Sequence, residues 1–136
     1  MKGARVLAKP EIDALMAVLE PRDKLLILTG LTYGLRISEA LRLKFGDFKG
    51  DYFVVDRRLS LKNSDVVTFP VPEPYRKLLR DVRKGYEQMG VRISDEIALF
   101  LSYQKKPMSR IAAHNAIKKA CAKSGITGKV STHSFR

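Results

Sequence analysis

The sequence predicts an α+β fold, mostly helical, with one small three-stranded antiparallel sheet. Two observations carry that prediction. Apolar residues recur at helical spacing before residue 44 and again after residue 73, whereas residues 52–71 are rich in β-branched and aromatic side chains broken by turn residues. A third observation sets the scale. At 136 residues and 45% hydrophobic content the chain makes one domain with a real core, and 9 Gly and 6 Pro are too few to suggest disorder.

The first helix is expected over residues 10–19, PEIDALMAVL. Pro10 suits a first turn, and Ile12, Leu15, Met16 and Leu19 repeat at helical spacing. A second helix is expected from Pro21 to about Thr32, burying Leu25, Leu26 and Leu28 and ending at Gly34. The third runs through Leu43, capped by Ser38 or beginning already at Arg36. Gly46-Asp47 and Lys49-Gly50-Asp51 then punctuate the chain. The strands are expected at YFVV (52–55), RRLSL (57–61) and VVTFPV (66–71), with Lys62-Asn63-Ser64-Asp65 turning between the last two. Pro70 and Pro72 favour an edge position for the last strand.

Helical pattern returns over residues 74–88, where Tyr75, Leu78, Leu79, Val82 and Tyr86 form one stripe. EIALFLS (96–102) is a short apolar piece. Residues 109–125 predict a strong helix: Ser109 caps it, Gly125 ends it, and Ala113, Ala116, Ile117, Ala120 and Cys121 make a narrow apolar stripe. STHSFR (131–136) reads as the start of another helix, with Ser131 or Thr132 as its cap.

Charge narrows the function. Lys and Arg number 26 against 14 Asp and Glu, a formal net charge of +12. A field of that sign usually serves nucleic acid, and otherwise an anionic membrane surface. No apolar run approaches the ~20 residues that span a bilayer, and no signal-peptide pattern opens the chain. One cysteine, Cys121, forms no internal disulfide. A metal site is poorly supported, because His114 and His133 lack ligand-like spacing to Cys121. No cofactor motif is present.

Four residues invite chemistry: Arg36 at a tight joint between helices, Lys62 at a hairpin tip, and His133 with Arg136, three apart and so on one face of a helix. Two arginines, a lysine and a histidine describe an anion site, and a guanidinium fork matches phosphate oxygens. Each residue also has a plainer reading. Arg36 alone is as readily a snorkelling side chain or a partner for Glu39, Lys62 a solvated turn lysine, and His133 a surface or capping residue. Spacing does not by itself bring the four together.

TYGLRISEALRLKFGDF (32–48) resembles the first arginine box of the tyrosine recombinase, or phage integrase, family. Gly34, Leu35, Arg36, Ser38, Glu39, Leu43 and Asp47 fit that box, and Phe45 stands where the family usually has Trp. LKNSDVVTFPVP (61–72) is similar to the family's lysine hairpin, although Asn63-Ser64-Asp65 follows Lys62 where further basic residues are usual. THSFR (132–136) resembles the His-x-x-Arg box, with Ser134-Phe135 in place of Asp-Leu. The three boxes occur in order along nearly the whole chain.

What the resemblance implies is site-specific, metal-free DNA strand cleavage and rejoining through a 3′-phosphotyrosine. Arg36, Lys62, His133 and Arg136 would be catalytic, with Glu39 as an orienting support for Arg36. The corresponding helix of the family faces the DNA major groove, so Arg110, Asn115, Lys118 and Lys119 are expected to contact DNA. Against that stands a simply solvated basic face. The implied partners are double-stranded DNA and other protomers in a synaptic complex, in the cytoplasm or at the nucleoid, or in a host cell if a virus encodes the protein. Tyr33, Tyr52, Tyr75, Tyr86 and Tyr103 all precede the His-x-x-Arg box, so none is the nucleophile by motif. The expectation is therefore a catalytic domain over 1–136 without its nucleophile segment and without the preceding core-binding domain. The rival expectation is a non-catalytic DNA-binding module derived from the same fold.

Overall fold

The computed structural model describes residues 7–56 and 66–126. Its elements run α1 (Lys9–Val18), α2 (Pro21–Tyr33), α3 (Ile37–Ala40), a 3₁₀ turn (Phe45–Asp47), β1 (Phe48–Lys49), β2 (Tyr52–Asp56), β3 (Val66–Pro70), α4 (Glu73–Gln88) and α5 (Arg110–Ser124). The α+β class with a three-stranded antiparallel sheet is what the sequence predicts.

Helix α2 is the centre of the molecule. Leu25 and Leu26 enter a main core with Phe53, Tyr75, Val82 and Phe100. Ile27 enters a second core, where Leu15 and Leu19 of the α1 segment meet Ile117, Ala120 and Cys121 of α5. Sandwiched this way, α2 buries more than one stripe. Ile27 and Thr29 are fully enclosed, while Leu28, expected to be buried, is only half so. The Thr29 hydroxyl survives burial by donating to the Leu25 carbonyl at 2.7 Å and pairing with the Tyr75 hydroxyl at 2.7 Å.

Among the described residues the sheet order is β1-β2-β3, which leaves β3 at an edge, as Pro70 within it and Pro72 just beyond it suggest. Register pairs Phe53 with Phe69 and Tyr52 with Pro70. The strand composition differs from the expectation. The two-residue strand Phe48–Lys49 pairs with Tyr52 and Phe53 across a turn in which Gly50 has φ +71°. Two residues show no period, and this strand was not legible. The expected strand 57–61 and the turn Lys62-Asn63-Ser64-Asp65 lie outside the described residues, as does the expected helix start at 131–136.

Helix α3 is also shorter than expected. It begins after Arg36 rather than at a Ser38 cap and stops at Ala40. Residues 43–46 instead pair with 95–99: the Leu99 N–H donates to the Leu43 carbonyl at 2.8 Å, the Phe45 N–H to Ile97 at 3.0 Å and the Gly46 N–H to Asp95 at 3.1 Å. A Cβ on Gly46 would sit 2.7 Å from the Asp95 Cβ, so only glycine allows this approach. Helix α5 matches its signals: Ser109 Oγ accepts from the Ala112 N–H at 3.1 Å, and Gly125 ends the helix with φ +71°.

Candidate functional site

The joint that carries Arg36 is fixed on both sides. Upstream, Tyr33 packs its ring against Phe53 at 4.8 Å and donates its hydroxyl to the Pro70 carbonyl at 2.9 Å. This ties the end of α2 to the edge strand. Gly34 then adopts φ +65°, its N–H donating to the Gly30 carbonyl at 2.9 Å. A side chain would be strained in that left-handed conformation. Arg36 itself is extended, with φ −69° and ψ 155°.

Downstream, the Glu39 carboxylate accepts the Arg36 backbone N–H at 2.8 Å. That contact closes the first turn of α3. Its consequence concerns the guanidinium. Glu39 holds the Arg36 main chain, and among the described residues the exposed Arg36 guanidinium has no hydrogen-bond or ion-pair partner. Asp47 works the same way one step on, accepting the Lys44 backbone N–H at 2.9 Å. Burial pushes the Asp47 carboxyl above its ordinary pKa, opposed by that hydrogen bond.

Lys62, His133 and Arg136 lie outside the described residues. Among the described residues no group of three or more His, Cys, Asp or Glu side chains gathers to hold a metal ion.

Four of the five tyrosines hold hydroxyl partners in the fold. Tyr75 is bonded to Thr29. Tyr86 donates to the Leu99 carbonyl at 2.8 Å and accepts the Leu101 N–H at 2.9 Å. Burial raises both phenol pKa values, Tyr86 to about 12. Tyr33 is held by Pro70, and Tyr103 by Glu20 at 3.0 Å. Tyr52 is exposed at the start of β2.

On α5, Arg110, Asn115, Lys118 and Lys119 are all exposed. They do not share one face. Residues advance about 100° around a helix, so Arg110 and Lys119, nine apart, point in roughly opposite directions. Lys118 continues a stripe with Ile111 and Asn115. Asn115 stands at the rim of a 370 Å³ cleft between α5 and the α1–α2 junction, which Lys119 and Lys123 also line. Helix α5 contains no acidic residue, and among the described residues its Arg and Lys side chains form no ion pair.

Sequence reasoning singled out neither Tyr33 nor Ile111. The signal for Tyr33 was an aromatic beside the glycine of the joint. For Ile111 it was an isoleucine standing off the apolar stripe of its own helix.

The phage integrase family model matches residues 5–136 of the chain. Among solved structures, XerA recombinase is similar with a TM-score of 0.74 and 18% identity, over 99% of this chain and 47% of that one. The XerH site-specific recombinase bound to its difH substrate gives 0.70 and 18%, over 98% and 41%. A lambda integrase tetramer bound to a Holliday junction gives 0.71 and 15%, over 96% and 40%. At these identities the likeness establishes a shared fold, and the chain spans less than half of each of the three. No curated protein sequence matches.

Proposed function

The chain belongs to the phage integrase family, and from that premise we propose that it serves site-specific DNA recombination by metal-free strand cleavage and rejoining. Its partners are double-stranded DNA and further protomers of a synaptic complex. The observation that carries the reading is Arg36: a guanidinium on a backbone clamped by Glu39 and Gly34, exposed, and unpartnered among the described residues. An arginine whose direction is preset before substrate arrives loses little on binding a phosphate.

In this reading a tyrosine hydroxyl from outside these 136 residues attacks a backbone phosphorus. A 3′-phosphotyrosine forms and a 5′-hydroxyl leaves. Negative charge grows on the nonbridging oxygens, and Arg36 and Arg136 neutralise it, each worth ~10²–10³-fold by analogy with other fixed donors. Lys62 protonates the departing 5′-oxygen, and His133 hydrogen-bonds the phosphate and assists proton transfer at the tyrosine. Glu39 positions Arg36. Attack by a 5′-hydroxyl of the partner strand reverses the sequence and rejoins the DNA.

Lys62 supplies the test. In a cleavage-competent protein containing this chain and the attacking tyrosine, Lys62→Ala should cripple cleavage of ordinary DNA. A substrate with sulfur at the 5′-bridging position, whose thiolate leaves without a proton, should recover much of the rate. Equal slowness on both substrates removes Lys62 from the role of general acid.

A further inference from the structure

Ile111 is 76% exposed, more than any other large apolar side chain among the described residues. It stands on α5, four residues before Asn115 and seven before Lys118, and Ala122 follows four residues after that. These spacings put all four on one stripe. The stripe faces solvent, and the opposite side of α5, with Ala113, Ile117, Ala120 and Cys121, is sealed in the core. No carboxylate lies on the helix to repel a polyanion.

Resting on the reading of α5 as a DNA-contacting helix, we propose that Ile111 and Asn115 read A·T base pairs in the major groove. Each side chain has a definite complement there. The Asn115 carboxamide offers an acceptor and a donor side by side, matching the adenine N6 amino group and N7. Isoleucine has no polar atom, and the thymine C5-methyl is the one apolar group that a base pair presents on its major-groove edge. Four helical residues advance roughly 6 Å at 1.5 Å each, while base pairs are spaced roughly 3.4 Å apart. The two side chains therefore meet pairs one or two steps apart. Lys118, further along the same stripe, reaches the flanking phosphate. An anionic membrane fits less well, because a single exposed isoleucine gives α5 too little apolar area to embed once its other large apolar groups are in the core.

The test selects binding sites for the 136-residue chain from randomised duplexes and then measures affinities at one salt concentration. Enrichment of A·T pairs at one or two neighbouring positions is expected. Replacing the selected thymine by uracil, which deletes the methyl, should weaken binding about fourfold and make no further difference to Ile111→Ala. Asn115→Ala should weaken the selected site about tenfold and leave binding to a scrambled duplex unchanged. Both side chains are exposed, so neither substitution disturbs the core. Salt-sensitive binding with no preferred pair, or equal binding of thymine and uracil sites by the unsubstituted chain, overturns this inference and leaves the DNA-contacting reading of α5 standing. No duplex binding at all overturns both.

Discussion

Helix α4 carries five basic side chains and three acidic ones, and helix α5 carries four basic side chains and no acid. On α4 the charges meet. Arg76 reaches Asp51 at 3.1 Å and Glu73 at 3.6 Å, Arg80 reaches Glu73 at 3.4 Å, and Arg83 reaches Glu87 at 3.9 Å. On α5 no such pair forms among the described residues. The inner faces differ as well. Helix α4 places Tyr75, Val82 and Tyr86 in the main core, whereas α5 presents small residues and Ile117 to the second core. A count of basic residues would rank α4 first as a polyanion surface. Pairing reverses the order, because a guanidinium already beside a carboxylate adds little field at a distance. The same distinction separates Arg80 from Arg36. The acid near Arg80 meets its guanidinium, and the acid near Arg36 meets only its backbone.

If α4 acts through its inner face, its largest effect is on stability. Tyr75→Ala removes a fully buried ring and takes from the Thr29 hydroxyl one of its two hydrogen-bond partners, leaving it the Leu25 carbonyl. It should cost about 3–5 kcal/mol in a denaturant titration. A cost near zero would mean that α4 is not the structural member of the pair.

The pH dependence of that face comes next. Unfolded tyrosine ionises near 10, and in the fold burial holds the Tyr86 phenol up to about 12, with Tyr75 raised in the same direction. The stabilising difference is fully present below pH 10 and is lost as pH rises from 10 toward 12. Tyrosinate absorbance should therefore show these two phenols resisting ionisation near pH 10–11 until the chain unfolds. Titration of all five near pH 10 in a folded chain would contradict their burial.

Glu39→Gln weakens the contact that clamps the Arg36 backbone. It should cost about 1 kcal/mol or less by thermal unfolding, with a larger proportional loss of catalysis than of stability if the clamp presets the guanidinium. The smallest effect belongs to the outer face of α4. Arg83→Ala breaks an exposed pair and should shift stability by less than about 0.5 kcal/mol.

Helices α1, α2, α4 and α5 were legible because caps, prolines and a repeating apolar stripe agree over ten or more residues. Shorter features were not. The strand Phe48–Lys49 has no period, and α3 ends early because residues 43–46 pair with 95–99, a partner about fifty residues away. At the site, the glycine, the arginine and the acid of the joint could be read locally as a motif. The Tyr33–Pro70 bond that anchors the joint could not, since it depends on where the edge strand lies. The grouping of Arg36 with Lys62, His133 and Arg136 came from resemblance, because Arg36, Lys62 and the His133–Arg136 pair lie far apart in the chain and all but Arg36 fall outside the described residues.

The central claim, that α5 rather than α4 faces the DNA, is tested most directly by the salt dependence of duplex binding. With about five phosphates neutralised, log K should fall against log salt with a slope near −4.5. Lys118→Ala with Lys119→Ala should make that slope shallower by up to about two. Arg80→Ala with Arg83→Ala should leave it unchanged. A slope that flattens for the α4 pair and holds for the α5 pair would contradict the account.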